Sequence, residues 1–407
     1  MKQTTMKQTI TKQIQRALKQ LLSGPKDFKC NLPEEIPVLA WRYHSIETDD
    51  GVRLTVQTIG PSPAEAPSVV LANGIGVTTP GLDFIANHLK DRFHVICWSY
   101  RGTQSLGLRK TAHPGFRRGS NSLETSSHPS CAKNVDYSIR RHARDALWVM
   151  DALGVEEASV LGWSMGVPVG LEMIRAAHDR VTAIGALFGA AGRPFEQAFP
   201  PRMARVVLEA AKLLSEYPQP AQGVLELAST LPGACWEVCT RLGFVGPTAH
   251  KKNFAANVAA VAEGDRSAYF KTMVSLMEHD AADMLSSITC PVLVVGGEKD
   301  WVTPPKAARM MAEKIPHAKL VMLEMATHFG VIEYGKELWD AIDELLSQIK
   351  EKEKEEKSKD MRKVKIKSKS KEKDKSKDKS KDRIKSKDKS KSKSKDKSKS
   401  KSKEKAE

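Results

Sequence analysis

Three side chains in this sequence have the types and the order that nucleophilic acyl transfer needs: Ser164, Asp300 and His328. Ser164 stands at the centre of Gly162-Trp163-Ser164-Met165-Gly166, after the apolar run Ala158-Ser159-Val160-Leu161 and before a helical pattern from Val167 to His178. A strand that turns this sharply into a helix has little room for Cβ atoms two residues either side of its apex, which accounts for the glycines. The apex hydroxyl is then held on a strained backbone above the sheet edge, where a base and a substrate both reach it. Alone, the G-x-S-x-G pentapeptide says little, because glycine and serine are common residues.

Its meaning comes from residues farther along the chain. Glu298 and Asp300 fall just past the apolar run Val292-Leu293-Val294-Val295, and His328 falls just past Leu320-Val321-Met322-Leu323. Each lies at the C-terminal end of a predicted strand, where open α/β sheets build their sites, and serine, acid, histidine is the order that accompanies such a turn. Asp300 is the predicted acid and Glu298 the fallback; the bland alternative makes Asp300 a helix N-terminal acid near Thr303. The other ten histidines, His178 and His279 among them, read as surface or helix polar residues. An oxyanion also needs donors. The Met165 N–H qualifies by following the nucleophile, and the Ile75 N–H by lying in Asn73-Gly74-Ile75-Gly76, the loop after the strand Ser68 to Ala72. Asn73 is alternatively a plain turn residue.

The elements that must position these groups follow from periodicity and breakers. Strands are predicted at Trp41 to Glu47, Val52 to Ile59, Ser68 to Ala72, His94 to Trp98, Val181 to Leu187, Pro291 to Val295 and Lys319 to Leu323, besides the one leading to Ser164. Helices are predicted at Leu82 to Lys90, Tyr137 to Leu153, after Thr303-Pro304-Pro305 and at Glu337 to Ile349. Strands alternating with helices give an α/β fold with a mostly parallel sheet covered by helices. Residues 193 to 285 break the alternation with helices at Arg202 to Leu214, Gln222 to Ser229, Phe254 to Ala262 and Arg266 to Met277. Their Leu, Met and Phe residues and Trp236 are placed on apolar faces, and a helical excursion between two strands reads as a lid. Tyr100-Arg101-Gly102 opens a long polar loop to about Asp136.

Charge marks the ends of the folded body. The chain has 407 residues and a net charge of +16. Residues 1 to 26 hold six Lys or Arg and no acid, and residues 351 to 407 hold 27 Lys or Arg against 13 acids, so residues 27 to 350 are mildly acidic at about −4. The N-terminal segment places Ile10, Ile14, Leu18, Leu21 and Leu22 on one stripe of a basic amphipathic helix. It could lie on an anionic membrane, serve as a transit peptide or pack on the body. From Lys363 to Lys405 every odd position is Lys except Arg383, which leaves almost nothing apolar to bury and predicts a disordered tail. That tail is a solubilising segment or an arm for an anionic partner, nucleic acid or a membrane surface. Six cysteines make no disulfide framework, and a reducing, cytoplasmic location is expected, with peripheral attachment to an anionic membrane as the alternative. Cys235 and Cys239 lack a partner pair, so no metal is assigned. No apolar run is long enough for a spanning helix.

With these residues in place the chain resembles the α/β-hydrolase superfamily, the branch of cap-bearing esterases and C–C hydrolases, over roughly residues 40 to 350. The resemblance implies Ser164 as nucleophile, Asp300 as acid, His328 as base, and Ile75 and Met165 as backbone oxyanion donors, with no cofactor. Tyr100-Arg101-Gly102 sits where the family has its Asp-x-Arg-Gly turn, and His328 followed by Glu333 matches its final segment. The departures are Asn73-Gly74 for the usual His-Gly, Ser99 for the turn's Asp and Gln104 for its later glycine. The expected organisation is an N-terminal segment at 1–34, core at 35–192 and 286–350, a helical cap at 193–285 and a tail at 351–407. The expected function is a serine hydrolase acting on an ester of a small, partly apolar acyl substrate. Alternatives are a cofactor-free haloperoxidase or acyltransferase on the same triad, and a non-catalytic binding protein localised by its tails. Two competing motifs fail: the glycine pattern at Gly74 and Gly76 has Thr79 where a dinucleotide fingerprint needs its third glycine, and Gly330 to Lys336 has Glu337 where a phosphate loop needs a hydroxyl.

Overall fold

The computed structural model describes residues 32–35, 38–77, 79–103 and 135–349. The N-terminal stripe, most of the polar loop after Gly102 and the Lys-rich tail lie outside the described residues. The chain divides into two compact units, Met1–Leu346 and Ser347–Glu407. Of the second, the described residues 347–349 are helical.

The first unit is built on eight strands in the order β1-β2-β4-β3-β5-β6-β7-β8. They are β1 (Arg42–Glu47), β2 (Arg53–Ile59), β3 (Ser68–Ala72), β4 (His94–Trp98), β5 (Ala158–Trp163), β6 (Val181–Leu187), β7 (Val292–Gly297) and β8 (Lys319–Leu323). β1 and β2 form an antiparallel hairpin, β2 pairs antiparallel with β4, and every other pairing is parallel. Every residue of β3, β4, β5 and β7 is buried. That explains why these strands read as continuous apolar runs: helices cover both sheet faces. The edge strand β1 is only partly buried, and β8 at the other edge exposes Lys319 and Leu320.

The covering helices are α1 (Asp83–Leu89), α2 (Ile139–Ala152), α3 (Gly166–Ala176) and α10 (Pro305–Lys314), with residues 336–346 helical at the end of the unit. Ser138 caps α2 by accepting the Arg141 amide at 3.1 Å. Between β6 and β7 stand six helices: α4 (Pro194–Ala198), α5 (Pro201–Glu216), α6 (Gln219–Thr230), α7 (Pro232–Arg241), α8 (Lys251–Glu263) and α9 (Arg266–Glu278). The sequence predicted four of these. It missed α4, which is short, and α7, whose Gly233, Val238, Thr240 and two cysteines are poor helix formers. Tertiary packing holds α7: Trp236 is buried, with its ring 5.5 Å from that of Phe254 on α8. Proline at the first or second position starts α4, α5, α6, α7 and α10, where its missing N–H has no partner to lose.

The structure corrects two sequence expectations. His142 and His94 are buried, and the His279 side chain is only 8 % exposed, so the surface reading fails for these three histidines. The large apolar residues of α5 and α6 are not all on an inner face either; Leu213, Val224 and Leu227 point to solvent.

Candidate active site

Ser164 sits on the turn between β5 and α3 with φ at +54°, in the left-handed region that L-residues other than Asn and Asp rarely visit. The turn is tight enough that a Cβ on Gly162 would lie 2.3 Å from the Gly166 carbonyl oxygen, and one on Gly166 only 1.9 Å from that of Ala72. Both glycines are therefore required by close approach, as the sequence suggested. The Ser164 N–H donates to Leu187 O on neighbouring β6 at 3.0 Å, which fixes the turn against the sheet.

Ser164, Asp300 and His328, 164 residues apart at the extremes, come together at the C-terminal edge of the sheet. His328 Nε2 lies 2.8 Å from Ser164 Oγ, and His328 Nδ1 lies 3.0 Å from Asp300 Oδ2. Asp300 and His328 are buried, while Ser164 keeps partial access to solvent. The Asp300 carboxylate is held from behind: Oδ1 accepts the Val302 and Thr303 amides, both at 2.9 Å. Thr303 Oγ1 lies 2.7 Å from Oδ2 and 3.0 Å from Phe188 O, between which it shares its one proton. Asp300 is thus a turn acid at the approach to α10 and a partner of His328 at once; the two sequence readings describe one residue. Glu298, the fallback acid, is turned away and pairs with Arg309 on α10.

The proposed oxyanion loop lies beside the serine, since a Cβ on Gly74 would be 3.5 Å from Ser164 Cβ. Asn73 is buried and is more than a turn residue. Its Nδ2 donates to Cys97 Sγ at 3.1 Å and its carbonyl accepts the Tyr100 hydroxyl at 2.9 Å, which ties the loop to β4. Gly76 has φ at +67°, and a Cβ there would lie 2.7 Å from the Tyr269 ring of α9. Helices inserted between β6 and β7 thus close over the loop that carries Ile75. Met165 is buried directly before α3, whose N-terminal dipole favours negative charge at this point.

Several residues of the site were not legible in the sequence. Trp163 Nε1 donates to the His328 carbonyl at 3.0 Å, linking the residue before the serine to the histidine's backbone. Phe244, between α7 and α8, has its ring 6.5 Å from the His328 ring, 5.2 Å from Phe329 and 5.9 Å from Trp301. These aromatics form an apolar wall beside the histidine, part core and part insertion. No local pattern marks such residues, because their role depends on segments far apart in the chain meeting.

Comparison with known proteins bears on the fold. Residues 67–334 match the model of the alpha/beta hydrolase fold family, and the chain belongs to that family. The chain is similar to 3-oxoadipate enol-lactonase 2 of Acinetobacter baylyi, 23% identical over 302 residues, covering 74% of this chain and 96% of that protein. It is also similar to the rhodomycin D methylesterase DnrP of Streptomyces peucetius, 23% identical over 295 residues, with coverage of 69% and 90%. Among solved structures, a thermophilic esterase from Thermogutta terrifontis shares the fold with a TM-score of 0.56 at 18% identity, covering 76% of this chain and 99% of that one.

Proposed function

We propose that this protein is a serine hydrolase that cleaves a carboxylic ester through Ser164, His328 and Asp300. The reading is carried by the continuous hydrogen-bonded line from Ser164 Oγ through the two ring nitrogens of His328 to Asp300 Oδ2. The enol-lactonase and methylesterase names of its relatives support an ester as the bond attacked.

In the first half-reaction Ser164 Oγ attacks the ester carbonyl while His328 Nε2 takes its proton, and the oxyanion is held by the N–H groups of Ile75 and Met165. The tetrahedral intermediate collapses, His328 returns the proton to the departing alcohol, and the acyl group remains on Ser164. Water then attacks the acyl-enzyme with His328 again as base, releasing the acid and restoring Ser164. Asp300, fixed by the amides of Val302 and Thr303, keeps the imidazole oriented with Nδ1–H toward itself and stabilises the imidazolium. The insertion at 193–285 serves as the cap, and the ring of Phe244 suits a small substrate with an apolar acyl group. The Lys-rich tail adds an anionic partner on composition alone.

The test is covalent labelling by a fluorophosphonate together with an ester library graded by acyl chain length. Labelling at Ser164, lost in Ser164→Ala along with turnover, is the expected result; labelling at a different serine, or full turnover in the variant, overturns the assignment.

A further inference from the structure

The cap carries an exposed apolar face that catalysis does not use. Among the described residues thirteen large hydrophobic side chains are exposed, and nine of them fall between residues 203 and 242, on α5, α6, α7 and their ends. On α5 the exposed positions Met203, Val206, Leu213 and Tyr217 follow helical spacing along one stripe; on α6, Val224 and Leu227 do the same. The inner side of α5 holds the buried Ala204 and Ala211 with Val207, Leu208 and Leu214 half-buried beside them, so Met203, Val206 and Leu213 form a second apolar face that points to water. Ser267 of α9 donates to the Ser215 carbonyl at 2.6 Å, which ties the last turn of α5 to the cap. So many large apolar side chains exposed within one 40-residue stretch point to an interaction site.

Charge identifies the occupant. Between residues 201 and 242 four basic and four acidic side chains cancel, so these helices carry no net charge that would attract or repel an anionic partner. The attraction must come from the rest of the chain, whose +16 charge is concentrated in residues 1–26 and 351–407. Glu34 and Glu35, which follow the basic N-terminal residues in sequence, touch this same insertion: His250 Nε2 donates to Glu34 O at 2.7 Å, and Lys252 of α8 pairs with Glu35 at 2.5 Å. Nucleic acid has the charge to attract these ends but no use for an apolar stripe. An anionic lipid surface answers both features, because stable peripheral anchoring takes an apolar contact together with a polybasic one. We propose that the outer face of α5, α6 and α7 seats on an anionic membrane surface. No helix among the described residues is long and apolar enough to cross a membrane, so the contact lies in the interface.

The experiment uses the full chain and reads no catalysis, so it stands apart from the hydrolase assignment. Flotation is measured with phosphatidylcholine vesicles with and without phosphatidylserine, and amide hydrogen exchange is followed across residues 203–242 in the native chain. The expected result is flotation with the phosphatidylserine vesicles, slowed exchange in these helices on binding, and a loss of bound fraction of about tenfold or more in Leu213→Asp/Leu227→Asp. Near-UV circular dichroism checks that this variant is folded; if it is not, exchange in the native chain decides. Flotation equal in parent and variant, with exchange unchanged, means the charged ends alone bind and overturns the docking face, as does the absence of flotation. Helices already protected without vesicles overturn it too: a concentration-dependent mass assigns the face to a second copy, and release of protection on deleting residues 1–31 assigns it to the chain's own N-terminal segment.

Discussion

Glu333 grips the residue immediately before His328: its Oε2 accepts the Thr327 N–H at 2.8 Å and its Oε1 the Thr327 hydroxyl at 2.5 Å. Oε1 also accepts the Gly246 N–H at 2.7 Å, so one buried carboxylate joins the histidine loop to the insertion between β6 and β7. Burial pushes the Glu333 carboxyl above its ordinary range, and the three donors work against that rise.

Glu333→Gln replaces one acceptor oxygen with an amide that faces donors only. The histidine loop and the Gly246 turn are expected to shift, lowering kcat by about 10- to 100-fold, since small displacements of catalytic groups are costly. KM is expected to change less than kcat, and circular dichroism to stay that of the parent. A kcat equal to the parent's means that Trp163 and Phe329 suffice to place the loop.

Asp300→Asn is expected to lower kcat by about 10⁴ with the fold intact, because the amide favours the wrong imidazole tautomer. Glu298→Gln removes only the pair with Arg309 and is expected to leave kcat near that of the parent. Steady-state kinetics on one soluble ester compares the two, and the reverse pattern moves the acid to Glu298.

Arg101 is fully buried and holds two carboxylates in bidentate fashion. Its guanidinium lies 2.6 and 2.8 Å from Asp145 of α2 and 2.5 and 2.8 Å from Asp50 in the β1–β2 turn. Arg101→Met strands the buried Asp145, with Arg141 as its remaining cation. A loss of about 3–5 kcal/mol is expected in urea unfolding, and Arg101→Met/Asp145→Leu is expected to recover part of it. A single variant as stable as the parent contradicts this.

His142 on α2 is wholly buried, packs edge-on to Tyr100 and has no hydrogen-bond partner among the described residues. Burial, helped by the charge of Arg101, pushes its pKa down to about 3. The contribution of the neutral ring is therefore complete above the unfolded value near 6.5 and is lost as pH falls toward 3. Asp83, raised to about 7 by burial, acts in the opposite sense and is most favourable in acid. Between pH 7 and 5 the His142 effect is about 2 kcal/mol. Because Asp83 offsets it in the parent, the readout is the difference between the two chains: His142→Phe is expected to gain melting temperature relative to the parent as pH falls from 7 to 5, and a constant difference assigns the acid sensitivity elsewhere.

Sequence by itself determined the parts of this protein whose cause is local. A turn without room for Cβ atoms demands glycine at 162 and 166, strands covered on both faces read as apolar runs, and strand ends mark where Asp300 and His328 must fall. The placement of α4 and α7 escaped it, because one is short and the other is held by Trp236 against Phe254 rather than by propensity. Only the tertiary structure decided that Asp300 and not Glu298 faces the imidazole, since both follow the same strand and differ in which way a two-residue step turns them. Thr303, Trp163, Phe244 and Glu333 acquire their roles by contact across tens to hundreds of residues, which no local pattern records. The outward stripe on α5 was hidden for a related reason: this helix has apolar residues on two sides, and periodicity does not tell which side meets the core; here it is the side of Ala204, Leu208, Ala211 and Leu214.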